Sequence, residues 1–269
     1  MGHLFGFIGV GNMGGALARA ACRTLDPKRI VVTNRTAAKA EALAAELGCD
    51  AAADNAAVAR EAKYLFLGVK PQMMEGLLAE LAPVLAARQD RFLLVSMAAG
   101  LRMEKLLAMA GGTYPLIRIM PNTPVAVGEG VVLYTANGAV EQAELDEFLG
   151  AMAGGGLLDP LEEGLLDAGS AVAGCGGAFA NMFLEALADG GVACGLPRAK
   201  AQKYAAQMLL GTARLLLDSG RHPGALKDEV CSPGGTTIQG VRALERGGLR
   251  SAAFEAVVAA YEKTVQLGK

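Results

Sequence analysis

An α/β fold class is predicted for this chain of 269 residues: a doubly wound parallel sheet in the N-terminal part, then an all-helical domain. Three observations predict it. Up to residue 120, short apolar runs alternate with helix-patterned stretches of about ten residues, as β–α–β units require. The first of these runs passes directly into a glycine-rich turn that opens a helix. After residue 160, strand-like runs stop and only apolar helical periodicity remains. The expected division is therefore 1–160 and 161–269.

The elements follow in order. Residues 4–10, Leu-Phe-Gly-Phe-Ile-Gly-Val, form a short apolar run expected to be a buried strand, and the Ala-rich stretch Met13–Thr24 the helix after it. Ile30–Thr33 is β-branched and strand-like, and Thr36–Leu47 is a helix stopped by Gly48. Tyr64–Val69 is a strand broken by Lys70-Pro71, followed by helix Met73–Leu81. Phe92–Ser96, Met103–Ala110 and Tyr114–Met120 complete the alternation as strand, helix and strand. Helices are then expected over Leu165–Ala188, Ala199–Leu217, Ile238–Leu244 and Ala252–Leu267, separated by Gly- and Pro-containing turns. These helices are apolar on more faces than one small bundle can bury, so a subunit interface that makes a homodimer is expected to cover the surplus.

Composition narrows the function. With 25 Lys+Arg against 27 Asp+Glu the net charge is −2, so the basic excess of a nucleic-acid binder is missing. A hydrophobic share of 52% with 19% charged residues excludes disorder. The uncharged run Ala168–Leu184 carries several glycines, Ser170 and Asn181 and falls short of a membrane span, so a buried helix is expected there. No basic segment precedes the first apolar run, so no signal peptide is expected. Five cysteines without a CxxC spacing fit reduced thiols in a cytoplasmic protein. Two histidines, His3 and His222, cannot build a His-rich metal site, and no metal is expected.

The turn Gly9-Val10-Gly11-Asn12-Met13-Gly14 is a G-x-G-x-x-G pattern between a strand and a helix, the context of a Rossmann-like dinucleotide loop. Gly9 suits the tight turn, Gly11 the close approach of a pyrophosphate, and Gly14 the packing of helix on strand. After the second strand, where an NAD site places an acid, the chain has Thr33-Asn34-Arg35-Thr36. Arg35 can hold a 2′-phosphate with a two-pronged hydrogen bond, and Lys39 adds charge. NADPH is therefore the expected cofactor, with NADH possible; the plainer reading of Arg35 and Lys39 is a solvated helix start. Val69-Lys70-Pro71 and Met120–Pro124 also follow strands, where ligands sit in doubly wound sheets.

A second anion site is suggested by Ser232-Pro233-Gly234-Gly235-Thr236-Thr237. Ser232 suits an N-cap and Pro233 the first helical position. Gly234 and Gly235 would leave bare N–H groups at the positive end of a helix, a cradle for a small carboxylate or phosphate. A capped helix with a flexible start explains the same residues equally well. No Lys lies between Lys105 and Lys200 and no His between His3 and His222. Alcohol oxidation needs a general base near the carbinol; an imine that arrives protonated does not, so the missing base favours C=N reduction.

These segments together resemble the pyrroline-5-carboxylate reductases over essentially the whole chain. Phe7–Gly14, Val69-Lys70-Pro71-Gln72, Met120–Pro124 and Leu226-Lys227-Asp228 through Thr237 carry the resemblance, with Leu187–Gly191 and Gly195-Leu196-Pro197 adding to it. The resemblance implies reduction of 1-pyrroline-5-carboxylate to L-proline with NAD(P)H, and a helical domain that interlocks with a partner subunit as a homodimer or higher ring. It implies that Ser232, Gly234, Gly235, Thr236 and Thr237 bind the substrate carboxylate and ring nitrogen, with Thr237 nearest the nitrogen. It also implies cofactor contacts at Asn55, Lys70 and the Ser96–Ala99 turn, including Ala98 and Ala99. The chain departs from the family pattern at Gly174-Cys175-Gly176-Gly177-Ala178-Phe179, where Ser, Pro and Tyr are usual, and at Glu229, where Asn is common. A β-hydroxyacid-dehydrogenase-like oxidoreductase and a non-catalytic NADP(H)-binding regulator are the competing readings.

Overall fold

The computed structural model describes residues 2–267. Eight strands form one sheet: β1 Phe5–Ile8, β2 Ile30–Thr33, β3 Asp50–Ala51, β4 Tyr64–Leu67, β5 Leu93–Ser96, β6 Leu116–Pro121, β7 Gly130–Ala136 and β8 Gly156–Pro160, in the order β3-β2-β1-β4-β5-β6-β7-β8. All neighbours pair parallel except β6 and β7, which are antiparallel. The strands alternate with helices α1 Asn12–Ala21, α2 Ala37–Leu47, α3 Asn55–Glu61, α4 Met74–Ala87, α5 Met103–Ala110 and α6 Gln142–Met152. Helices α7 Leu166–Ala173, α8 Gly176–Ala193, α9 Arg198–Ser219, α10 Pro223–Glu229, α11 Thr236–Arg246 and α12 Leu249–Leu267 follow.

The two-residue side-chain period of the central strands builds two cores, one on each face. Phe5, Phe7, Tyr64, Phe66, Leu93 and Val95 pack on one side with α1, α2 and α6. Ile8, Leu65, Leu67 and Leu94 pack on the other with α3, α4 and α5. Continuous apolar runs are what strands buried on both faces require. An aromatic cluster fixes the first face, with Phe7 stacked on Phe66 at 4.2 Å between centroids and Phe148 of α6 closing over Phe66.

The chain divides into two compact units, Met1–Cys175 together with Ala260–Lys269, and Gly176–Ala259. This differs from the division expected at 160, because α7 packs on β6 and β7 and so joins the sheet. Six further elements lay outside the expected set: β3, α3, β7, α6, β8 and α10. The stretch 163–193 also differs from expectation. It is helical over enough length, with mean hydropathy 1.4, to cross a membrane by length and composition, so it does not fall short of a span. It is no buried helix within this chain, since about a tenth of its apolar window is buried.

In the second unit α8 packs along α9, yet its fully buried apolar residues are only Ala188, Ala201 and Ala205 among the described residues. Met182, Leu217 and Phe254 are 70%, 76% and 67% exposed.

Candidate active site

The parallel register aligns the carboxyl ends of four strands. Thr33, Ile8, Leu67 and Ser96 form one row across β2, β1, β4 and β5. The residues that follow them begin the loops holding the sequence-predicted cofactor residues: Asn34 and Arg35; Gly9 to Gly14; Val69, Lys70 and Pro71; Ala98 and Ala99. Backbone register thus brings to one sheet edge what the sequence scatters over some ninety residues. Asn55, the first residue of α3, is half-buried, and its amide nitrogen lies 3.3 Å from a carboxylate oxygen of Glu80.

Gly9 and Gly14 take the backbone roles expected of them, a tight turn and close packing of helix on strand. Gly9 sits at φ +92°, a conformation favouring glycine. A Cβ on Gly14 would lie 2.2 Å from the Gly9 carbonyl oxygen, so helix and turn touch backbone to backbone. A Cβ on Gly11 would meet nothing within 4 Å, so that face of the loop is open. Gly11 is the N-cap of α1 and makes no side-chain cap, which leaves helix N-terminal N–H groups facing the opening, where an anion is stabilised. Beside it lies a cavity of about 350 Å³ lined by Val10, Gly11, Asn12, Gly15, Arg19, Lys39 and Glu46, among others. Arg19 is engaged by Glu46 through a two-pronged pair at 2.8 and 2.7 Å, so its charge is neutralised locally. Arg35 and Lys39 are exposed and follow the Thr33 strand end; Asn34 donates from its amide to the Thr36 carbonyl at 3.2 Å. These residues fit a phosphorylated dinucleotide: an open glycine cradle, an uncapped helix start and two cations.

Gly68 was not singled out by sequence reasoning. A Cβ there would lie 2.4 Å from the Gly9 carbonyl oxygen, so β4 reaches the loop only because this residue is glycine. Its signal was the glycine ending the Tyr64–Leu67 run. Arg118 was missed too. It is fully buried in β6 and bonds Asp167 of α7 at 2.6 Å. Its signal was a lone Arg inside Leu-Ile-Arg-Ile-Met.

The second predicted anion site lies in the second unit and needs two corrections. Helix α11 starts at Thr236, with Gly235 as N-cap; Ser232 and Pro233 are not its cap and first residue. Gly234 adopts φ +71° and turns the chain, and the Gly235 N–H donates to the Ser232 carbonyl at 3.0 Å. The Gly235 N–H is therefore not bare. The uncapped first turn of α11 offers the amides of Thr236 and Thr237, both exposed with their hydroxyls. Glu229, at the end of α10, is paired with Arg221 at 2.6 Å, which offsets its charge. Among the described residues no cluster of His, Cys, Asp and Glu is placed to hold a metal.

The fold and the phosphate loop define a Rossmann-type NADP-dependent oxidoreductase with a helical dimerisation domain. Two family models agree: residues 4–100 match NADP oxidoreductase, coenzyme F420-dependent, and residues 163–267 match pyrroline-5-carboxylate reductase dimerisation. The chain is 41% identical to the pyrroline-5-carboxylate reductase of Synechocystis and 40% identical to that of Escherichia coli, each over 98% of both chains. The structure of Plasmodium falciparum pyrroline carboxylate reductase with NADP bound superposes with TM-score 0.89 at 29% identity, covering 99% of this chain and 98% of that one. The chain belongs to the pyrroline-5-carboxylate reductase family. The family match also places the apolar stretch 163–193 in the dimerisation segment.

Proposed function

We infer that the protein reduces the C=N bond of 1-pyrroline-5-carboxylate to L-proline as a homo-oligomer, with bound NADPH supplying the hydride. The observation that carries this reading is full-length likeness to named pyrroline-5-carboxylate reductases at about 40% identity, joined to an open glycine cradle at the start of α1.

The roles we assign are as follows. The amides of Gly11, Asn12 and Met13 face the pyrophosphate, with Gly9, Val10 and Gly14 shaping the turn. Arg35, helped by Asn34 and Lys39, takes the 2′-phosphate. Asn55, Val69, Lys70, Pro71, Ala98 and Ala99 line the remaining length of the cofactor. In the second unit the Thr236 and Thr237 amides hold the substrate carboxylate, while Ser232, Gly234 and Gly235 shape the turn that exposes them. The Thr237 hydroxyl accepts the N–H of the protonated imine and fixes its orientation. Bringing reacting atoms to about 3–3.5 Å supplies most of what such a site needs, since no proton donor has to be placed at the carbon. A cytoplasmic setting is proposed with it, supported by five free thiols, of which Cys22 is pushed up to about 11 by burial and is unreactive at neutral pH.

The deciding experiment follows NADPH consumption with 1-pyrroline-5-carboxylate and identifies proline as the product. Turnover on a β-hydroxy acid instead would favour the dehydrogenase reading. Cofactor binding without turnover on any cyclic imine would favour a regulator.

A further inference from the structure

Residues Met97–Arg102 leave the carboxyl end of β5 and carry Ala98 and Ala99, to which cofactor contact is assigned above. This loop is tightly held: Ala98 and Leu101 are 1% and 4% exposed, and Gly100 is buried at φ +75°. Its start is tied by the Ser96 hydroxyl, which accepts from the Ala98 N–H at 3.3 Å. Its end is tied differently. Met103, the first residue of α5, donates its N–H to the Glu163 carboxylate at 2.6 Å, across sixty residues of sequence. Arg102, the N-cap of α5, makes no side-chain cap.

Glu163 is itself held by charge. The same carboxylate oxygen lies 3.6 Å from Nη1 of Arg118, which is fully buried and stands in register with Ser96. Arg118 gives its hydrogen bond to Asp167, one turn beyond Glu163, at 2.6 Å. Its Nε and Nη1 have no hydrogen-bond partner. Leaving donors of a buried guanidinium unmet costs free energy, and every other residue of β6 is apolar. The arrangement makes sense if the charge serves to hold two carboxylates. One orients α7; the other caps α5 and closes the loop.

We propose that Glu163 is a positioning residue for the cofactor, which anchors the end of the Met97–Arg102 loop through the Met103 N–H and is itself held by Arg118. The residue that opens the dimerisation segment of the family thereby reaches back to the cofactor loop. The inference rests on the assignment of Ala98 and Ala99 to the cofactor.

Two conservative variants test it in the full-length protein. Glu163→Asp keeps the charge opposite Arg118 but is one methylene too short for the Met103 contact. Glu163→Gln keeps the reach and an acceptor oxygen but loses the charge. Without NADPH, hydrogen–deuterium exchange over 97–106 should rise in Glu163→Asp, which loses the Met103 contact, and rise less in Glu163→Gln, which keeps that contact but loses the Arg118 charge that holds it. At a temperature well below Tm, kcat should fall roughly tenfold in Glu163→Asp, with KM for the imine little changed, and less in Glu163→Gln. A merely stabilising side chain would lower Tm without this split. Unchanged exchange and kcat in Glu163→Asp, or equal losses in both variants, would overturn the inference. Exchange in the wild type with and without NADPH separates the underlying assignment. If NADPH does not protect 97–103, Ala98 and Ala99 do not touch the cofactor and the inference falls with them. If it protects them while Glu163→Asp keeps full kcat, the inference alone is wrong.

Discussion

Replacing Gly11 and Gly14 in turn by Ala separates a ligand site from a packing motif. The two glycines sit three residues apart in the same turn but meet opposite surroundings. At Gly14 the new methyl would lie 2.2 Å from the Gly9 carbonyl oxygen. Ordinary contact needs more than an ångström beyond that, so turn and helix must part; overpacking of this kind costs about 1–3 kcal/mol. At Gly11 the methyl meets nothing within 4 Å, and its φ of −72° is open to any residue. Gly11→Ala should therefore fold with a stability within about 0.5 kcal/mol of wild type. The same methyl would occupy the space where a pyrophosphate must approach the backbone. One or two charge-assisted hydrogen bonds would be lost, each worth about 1.5–3 kcal/mol. NADPH binding, read by fluorescence titration, should then weaken roughly ten- to ten-thousandfold, while Gly14→Ala should lose thermal stability as well. Gly11→Ala with normal Tm and NADPH affinity within roughly threefold of wild type would refute the cradle reading.

Arg35→Ala should weaken NADPH roughly ten- to a hundredfold and leave NADH nearly unchanged in parallel titrations, because one charged hydrogen-bonding fork is removed. Thr237→Val keeps the side-chain shape and removes the hydroxyl, so kcat/KM should fall by roughly 1.5–3 kcal/mol of transition-state stabilisation with NADPH affinity unchanged. Glu144 is 6% exposed, and Arg91, by hydrogen bonds at 2.7 and 2.9 Å, holds its carboxyl below the ordinary value of 4.5 despite burial. A folded-state value below the unfolded one gives stability that is fully present above pH 4.5 and is lost as pH falls through the folded value. The Tm difference between wild type and Glu144→Gln should accordingly be constant near neutrality and shrink in acid.

The sheet was legible where side-chain pattern alone decides structure. Ile30–Thr33 and Met103–Ala110 fall where periodicity put them, because both faces of the central strands and one face of α5 are buried. The strands missed depend on neighbours. β8 is a mostly exposed edge strand that exists because β7 pairs with it. β7, though apolar and β-branched, is set antiparallel to β6, outside the β–α–β rhythm. Its turn is secured by Asn122, whose backbone N–H donates to the Val131 carbonyl and whose amide oxygen accepts from the Val131 N–H. The start of α6 uses Glu141 and Glu144 as a reciprocal capping box rather than Ser or Thr. At the second suggested anion site the composition led to the wrong cap, since the left-handed turn at Gly234 moves the helix start to Thr236. Arg118 and Glu163 lie forty-five residues apart in the chain, and their pairing is a property of the fold.

The helical unit carries the loop to which we assign the substrate on a scaffold with little buried core of its own. Its fully buried apolar residues are three alanines among those described, while Met182, Leu217 and Phe254 face outward. Burying each such large side chain contributes about 1.5–3 kcal/mol, a large share of the stability of any domain this size. Partnering with a second copy supplies that burial, in keeping with the dimerisation match over 163–267. The order of the Ser232–Thr237 turn should then depend on the partner, even though the cofactor loop sits on a unit with its own complete core. On dilution, kcat per protomer should fall in step with the dimer fraction seen by sedimentation, whereas NADPH affinity should not change. A folded monomer that retains full kcat would refute this dependence and show that the exposed apolar surface serves only assembly.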